Sequence, residues 1–224
     1  MHRKFKAMLP VGAAAVAIAI AIPAIADNHG KAPDPSIPGQ MDTSRVAAGS
    51  YATDPGHTLV SWKVSHFGFN DYIGLFGNIT GTMQLDPVNP QAAKVDISIP
   101  VAEVTTASEG LTGHLLRAPK EEGGNPDFFG PEPDAARFVS TAVKVAENGT
   151  DATINGDLTL NGVTKPVTID AKFSGAGTNP FNKKETVGFH GKTIIKRSDF
   201  GVMYGIPVVS DEVHLKISVA FEKQ

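Results

Sequence analysis

From Tyr51 to Phe221 apolar residues keep returning at every second position, in runs separated for the most part by short connections. A period of two sends alternate side chains to opposite faces, so each run reads as a β-strand with one oily and one wet side. The first, about Tyr51 to Phe67, turns Val60, Trp62 and Val64 one way. The second, about Phe76 to Leu85, carries Ile79, Met83 and Leu85, and the third, about Ala93 to Val101, sets Val95, Ile97 and Ile99 against Lys94, Asp96 and Ser98. Val139, Val143 and Val145 mark a fourth; Ile154, Leu158 and Leu160 a fifth; the arm from Val163 to Phe173 a sixth; Phe189, Thr193 and Ile195 a seventh. In the eighth, Val213, Leu215, Ile217, Val219 and Phe221 alternate with His214, Lys216 and Ser218.

The fifth and sixth runs meet at Asn161-Gly162, a dipeptide suited to the positive φ angles of a type I′ hairpin turn. That turn sets the register: Leu158, Leu160, Val163, Val167 and Ile169 share one face, and Thr159, Thr164, Pro166 and Thr168 the other. Only the stretch after the third run, "ASEGLTGHLLRAPKEEGGNPDFFGPEPDAARF", lacks alternation. Within it Ser108 to Arg117 reads as a short helix with Leu111, Leu115 and Leu116 on one side, followed by a Gly/Pro-rich loop. Short links join antiparallel neighbours, whereas parallel pairs need crossover helices absent from this sequence. The expected fold is therefore all-β: eight antiparallel strands closing into an up-and-down barrel, since closure removes exposed edges.

The chain begins with Arg3, Lys4 and Lys6, continues through "VGAAAVAIAIAIPAIA" and reaches the small-residue site Ala24-Ile25-Ala26. This is the layout of a secretory signal, with residues 1–26 removed and Asp27 as the new N-terminus; Pro23 and the cleavage site favour it over an uncleaved anchor. Residues 27–50, rich in Pro, Gly and small polar side chains, read as a flexible leader, and 51–224 as the barrel domain. Losing three basic residues takes the formal charge from −3 to −6. Such a surface excludes a nucleic-acid partner, which requires a basic one. With 0 cysteines the exported chain has no disulfides, so its stability must come from apolar burial.

The oily faces have three conceivable homes: a solid core, a bilayer, or a guest molecule. A membrane-embedded barrel would carry aromatic girdles, but the chain has 3 Tyr and 1 Trp and places lysines and aspartates on its polar faces. The reading is thus a soluble barrel with an apolar interior, and an eight-stranded interior is either just filled by side chains or able to hold one small ligand. Gly81, Gly156, Ala171, Gly191 and Thr193 fall on inward positions and are too small to fill it, unless the glycines mark bulges or corners.

Several stretches resemble the YceI-like family of exported bacterial proteins: "YATDPGHTLVSWKVSHFGF", "GLFG", "GDLTLNGVTKPVTI", "KRSDFGV" and "VSDEVHLKISVAF". The similarity spans nearly all of Tyr51 to Phe221. It implies a lipocalin-like barrel whose apolar tunnel holds a polyisoprenoid or similar long-chain amphiphilic lipid, without catalysis, cofactor or metal. It also implies a periplasmic or secreted location and is compatible with a homodimer. The segment after Arg117 is longer than the family's usual link, which puts the shape of one barrel mouth in question.

Candidate ligand contacts are the inward residues: Trp62, Val64 and His66; Ile79, Met83 and Leu85; Ile97; Leu158 and Leu160; Val163, Val167, Ile169 and Phe173; Phe189, Ile195 and Arg197; Leu215 and Ile217. His66 is either a hydrogen-bonding partner for a head group or a satisfied structural histidine. Arg197, near a strand end, suits a pyrophosphate or carboxylate, or an ion pair with Asp199 or Asp211. Lys165, opposite Leu158, would lay its stem on apolar surface with its ammonium at the rim. His57, His66, His114, His190 and His214 form no metal-binding spacing, and neither a nucleophile elbow nor a phosphate loop occurs. A hydrolase with a convergent triad is the remote alternative. The nearer one is a broad scavenger of lipophiles such as fatty amides or hydrophobic antibiotics.

Overall fold

The computed structural model describes residues 36–224, so the segment read as a secretory signal lies outside the described residues. Eleven strands and one helix follow in order: β1 (Gly49–Thr53), β2 (Leu59–His66), β3 (Asn70–Phe76), β4 (Thr80–Leu85), β5 (Lys94–Ile99), β6 (Thr105–Thr106), α1 (Glu109–Leu115), β7 (Ala136–Val145), β8 (Asp151–Leu160), β9 (Val163–Thr178), β10 (Glu185–Lys196) and β11 (Glu212–Lys223). All pairings are antiparallel, and they reduce to eight staves. β1 and β2 are two halves of one stave, β3 and β4 of the next, β5 and β6 of the third. The ring closes because β11 pairs with β1 near Phe221 and with β2 near Leu215. The outcome is the closed eight-stave barrel expected from the alternation.

The hairpin register also holds: Leu160 faces Val163, Leu158 faces Lys165 and Ile154 faces Ile169 across β8 and β9. Asn161 and Gly162 both take positive φ, 54° and 74°, as the type I′ turn requires. Thr159 and Thr164 bond to each other on the outer face, at 2.8 Å. Outward positions of β10 and β11 carry His190, Lys192, Lys196, Glu212, His214 and Lys216, so the wall is charged outside and oily inside, the inverse of a lipid-facing barrel.

The structure differs from the sequence reading in three places. β3 stands apart as its own strand, because Asp54 to Thr58 and Gly77 to Ile79 interrupt the first two staves. β7 carries a bulge between Ser140 and Ala142, which reverses its parity: Phe138, not Val139, joins Val143 and Val145 inside. The leader is structured over the residues described. Gln40 bonds both ways with Ala176 on the free edge of β9, at 3.0 and 2.8 Å. Arg45 donates to the Pro38 and Ala176 carbonyls, and Asp42 caps a 3-10 turn over Thr43–Arg45. This strap joins β1, where the Tyr51 ring is fully buried and its hydroxyl donates to the Ala47 carbonyl at 2.6 Å.

One end of the barrel is closed. Ser108 caps α1 by accepting from the Leu111 N–H, and Leu111, Leu115 and Leu116 pack with Phe128 and Phe129 on Trp62 and Val213. The long Gly/Pro-rich segment therefore forms a lid. Asp127 clasps it, with one carboxylate oxygen 2.7 Å from His114 Nε2 and 2.8 Å from Arg117 Nη2. Hydrogen bonds from His114 and Arg117 hold the Asp127 carboxyl below the usual carboxylate range. Beneath the lid Phe200, 1% exposed, plugs the interior against Phe138 and Leu158.

Candidate ligand-binding cavity

Above the Phe200 plug the interior is hollow. A cavity of about 380 Å³ runs toward the opposite end of the barrel. Its wall is built from the inward residues of every stave, among them Val60, Met83, Ile97, Phe138, Ile154, Ile169, Leu215 and Phe221. The rim is formed by Thr43 and Val46 of the strap, by Pro87 and Pro90 of the β4–β5 loop, and by Gly149 to Asp151 of the β7–β8 turn. Volume and chemistry suit a single small apolar guest, since such pockets usually hold about 300–1,000 Å³ and are mostly hydrophobic.

Eleven of the residues singled out from sequence line this space: Ile79, Met83, Leu85, Ile97, Leu158, Val167, Ile169, Phe173, Phe189, Leu215 and Ile217. Seven do not. Trp62, Val64 and Ile195 belong to the packed core under the lid, and Leu160 and Val163 pack beside the Phe200 plug. His66 ends β2 with its ring edge-on to Phe67, centroids 4.3 Å apart, and its backbone bridges to Val209. Those positions have the right parity but lie below the cavity floor.

Arg197 needs a fuller correction. It is 6% exposed and donates to four backbone carbonyls: from Nε to Ser210 at 2.9 Å, from Nη1 to Val202 at 3.1 Å and Tyr204 at 2.8 Å, and from Nη2 to Val209 at 3.0 Å. With four of its five N–H groups so engaged, it pins the β10–β11 connection and faces neither a head group nor the rim. Burial draws its pKa below the usual arginine range while the nearby Asp211 opposes that shift, and the guanidinium stays charged. The expected ion pair is also replaced, because Asp211 accepts from the Ser198 N–H and hydroxyl at 2.9 and 2.7 Å. Burial works against ionisation of Asp211, but these bonds and the Arg197 charge outweigh it and leave the carboxyl below its ordinary range.

The small inward residues divide into two groups. A Cβ on Gly156 would run into the Phe138 ring, one on Gly81 into Ile97 and one on Gly74 into the Trp62 indole, so these glycines seat a neighbour's bulk and leave no hollow. Ala152, Ala171 and Gly191 stand in register across β8, β9 and β10 and all line the cavity, with Ile217 and Ile169 closing on Gly191, where a Cβ would come within 3.1 and 3.2 Å of them. Here the wall is thin, and the guest space opens over it.

Few polar groups face this interior. Thr58 is 1% exposed on the lining, and its hydroxyl has no hydrogen-bond partner among the described residues. Thr43, Val46, Thr58 and Phe138 are lining residues that parity did not reveal: two lie on the strap, one in the break between β1 and β2, and one behind the bulge. Phe138 was detectable in principle, from Phe138 and Val143 being both large and apolar on opposite parities.

The YceI-like domain model matches residues 51–221. A UPF0312 protein of Ectopseudomonas mendocina is 38% identical over 178 residues, covering 78% of this chain and 88% of the relative. Protein YceI of Escherichia coli is 38% identical over 164 residues, covering 73% and 80%. Among solved structures, the Campylobacter jejuni YCEI protein aligns with a TM-score of 0.57 at 26% identity, over 71% of this chain and 90% of that one. A polyisoprenoid binding domain from Saccharophagus degradans shares the fold, with a TM-score of 0.54 at 14% identity over 78% and 98% of the two chains. The match across the whole barrel, from Tyr51 to Phe221, places this chain in the YceI-like family.

Proposed function

We propose that the protein is an exported, non-catalytic carrier that holds one long-chain polyisoprenoid or similar amphiphilic lipid inside its barrel. The observation that carries this reading is the cavity itself: about 380 Å³, floored by Phe138 and Leu158 where they pack on Phe200, walled almost wholly by aliphatic and aromatic side chains and open at one end. Removing such a chain from water is favourable by roughly 0.8 kcal/mol for each buried CH₂, which gives a tunnel with little polar surface ample affinity for it. The Saccharophagus degradans domain, described as polyisoprenoid binding, supports the ligand class. Asp151 and His190, the carboxylate- and imidazole-bearing residues on the lining, stand at outward register positions of different strands, which is poor material for a hydrolytic centre. The sequence's N-terminal signal supports export, and the periplasm is the compartment it implies.

Isothermal calorimetry on lipid-stripped protein with a C20 isoprenoid alcohol tests the reading. Saturable binding at one chain per barrel is expected, with the negative heat-capacity change of apolar burial. Absence of binding would overturn it. A ligand panel also separates a carrier from a scavenger: one tight class supports the first, equal affinity for unrelated lipophiles the second.

A further inference from the structure

The cavity ends at one level across the barrel. On β2, β10 and β11 its lining stops at Val60, Thr193 and Leu215, and the next inward residues, Trp62, Ile195 and Val213, pack in the core under the lid. The floor itself is the Phe138 ring beside Leu158. That ring is held on two sides. Toward the wall it lies against Gly156, where even a Cβ would collide with it, and below it packs on Phe200, which is 1% exposed. Phe200 is fixed in turn. It closes the 3-10 turn Arg197–Phe200, its carbonyl accepts from Asn161 Nδ2 at 3.3 Å, and the Arg197 guanidinium anchors the same turn to the Ser210, Val202, Tyr204 and Val209 carbonyls.

The strands set the depth above this floor. The lining runs from Ala93 to Ile99, from Val167 to Phe173 and from Leu215 to Phe221, six residue steps on each of three staves. At about 3.3–3.4 Å a step this is roughly 20 Å of strand, or about 14–16 Å along the barrel axis for strands tilted by about 35–45°. Carbon–carbon bonds of about 1.5 Å advance an extended chain by roughly 1.25 Å each, so the four main-chain bonds of an isoprene unit cover about 5 Å. About three units therefore reach from rim to floor. From this depth we infer that Phe138, backed by Phe200, sets the length of the guest: the barrel buries about three isoprene units in full, and a longer chain leaves its further units outside the mouth. This rests on the carrier reading above and specifies its chain class. Affinity climbs with each unit that enters, because each takes apolar surface out of water, and levels off once the chain end meets the floor.

Calorimetric titration of lipid-stripped protein with geraniol, farnesol, geranylgeraniol and hexaprenol tests the inference, each variant being compared with the wild type for the same alcohol so that the state of that alcohol in water cancels. From geraniol to farnesol wild-type affinity should rise at least about tenfold, and from geranylgeraniol to hexaprenol it should change by less than about threefold. Phe138→Ala combined with Phe200→Ala lowers the floor, and geranylgeraniol should then gain at least about tenfold on farnesol relative to the wild type. Val167→Phe raises the floor, since its ring enters open space at the bottom of the cavity. It should weaken farnesol at least about tenfold and leave geraniol within about threefold. Thermal melts establish which variants fold. The double truncation removes two buried rings, and where it unfolds Val167→Phe decides. A length ranking unchanged in the folded variants would overturn the inference, as would wild-type affinity that still climbs tenfold from geranylgeraniol to hexaprenol, the sign of a chain that doubles back or passes the floor. Failure of all four alcohols to bind would instead overturn the carrier reading on which it rests.

Discussion

Ala171→Phe is the perturbation that best separates a guest tunnel from a merely loose core. Ala171 is the centre of the row Ala152, Ala171, Gly191, so its Cβ looks across the cavity with no bulky neighbour in register on either side. In a filled interior the ring would overpack the wall, costing roughly 1–3 kcal/mol. For a domain of this size that lowers Tm by about 2–4 °C for each kcal/mol. In the hollow interior the ring enters open space, and burying a Phe side chain is worth about 1.5–3 kcal/mol, part of which compensates for the lost freedom of the side chain. The stripped variant should therefore melt at or above the wild-type temperature. Ligand response moves the other way. A guest at a free concentration of 100 times Kd stabilises the wild type by about 2.7 kcal/mol, hence by roughly 5–10 °C, and that shift should vanish in Ala171→Phe. Differential scanning calorimetry of stripped and loaded protein reads both quantities. A stripped variant that melts several degrees lower yet retains the full ligand shift would refute the cavity assignment at this wall.

Other substitutions probe the supports of the site. Arg197→Met should cost at least about 3–5 kcal/mol, because the carbonyls of Ser210, Val202, Tyr204 and Val209 lose their shared donor; limited proteolysis should then cut within 202–211, with any loss of binding the same for neutral and phosphorylated chains. Thr58→Val removes a buried hydroxyl that has no partner among the described residues and should raise the Tm of stripped protein, by an amount corresponding to about 1–3 kcal/mol, in a thermal melt. In acid the closed end should loosen first. Asp127 and Asp211 both titrate below the ordinary aspartate value near 4, so their contribution is complete above about pH 4 and is lost as pH falls through the folded values. Hydrogen exchange between pH 6 and 2.5 should show α1 and the β10–β11 connection opening before the β8–β9 hairpin, and Asp127→Asn should flatten that dependence at α1.

How much of this was legible in the sequence depended on whether one strand could be read without its neighbours. β8, β9 and β11 alternate cleanly, and both their register and their cavity-facing side chains follow from parity and one Asn-Gly turn. α1 announced itself through Ser108 and three leucines. β3 was missed because Gly74 occupies an inward position where an apolar residue would be expected, and only the Trp62 indole resting on it explains why. The bulge in β7 hid Phe138 for a similar reason: one extra residue reverses the parity of everything beyond it, and the pairing with β8 that reveals it is a property of two strands. Parity says which way a side chain points but not how deep along the barrel it lies. Leu160, Val163 and Ile195 point inward as expected and sit beneath the floor, because the plug at Phe200 and the lid from α1 to Phe129 come from segments with no alternation to read.

Native mass spectrometry of the protein purified from its own host tests the central claim most directly. The account predicts a mature chain beginning at Asp27 that carries a single long-chain lipid adduct, one per barrel, released by organic solvent to leave the bare polypeptide. A chain that is always bare, with no lipid in the solvent extract, would contradict it.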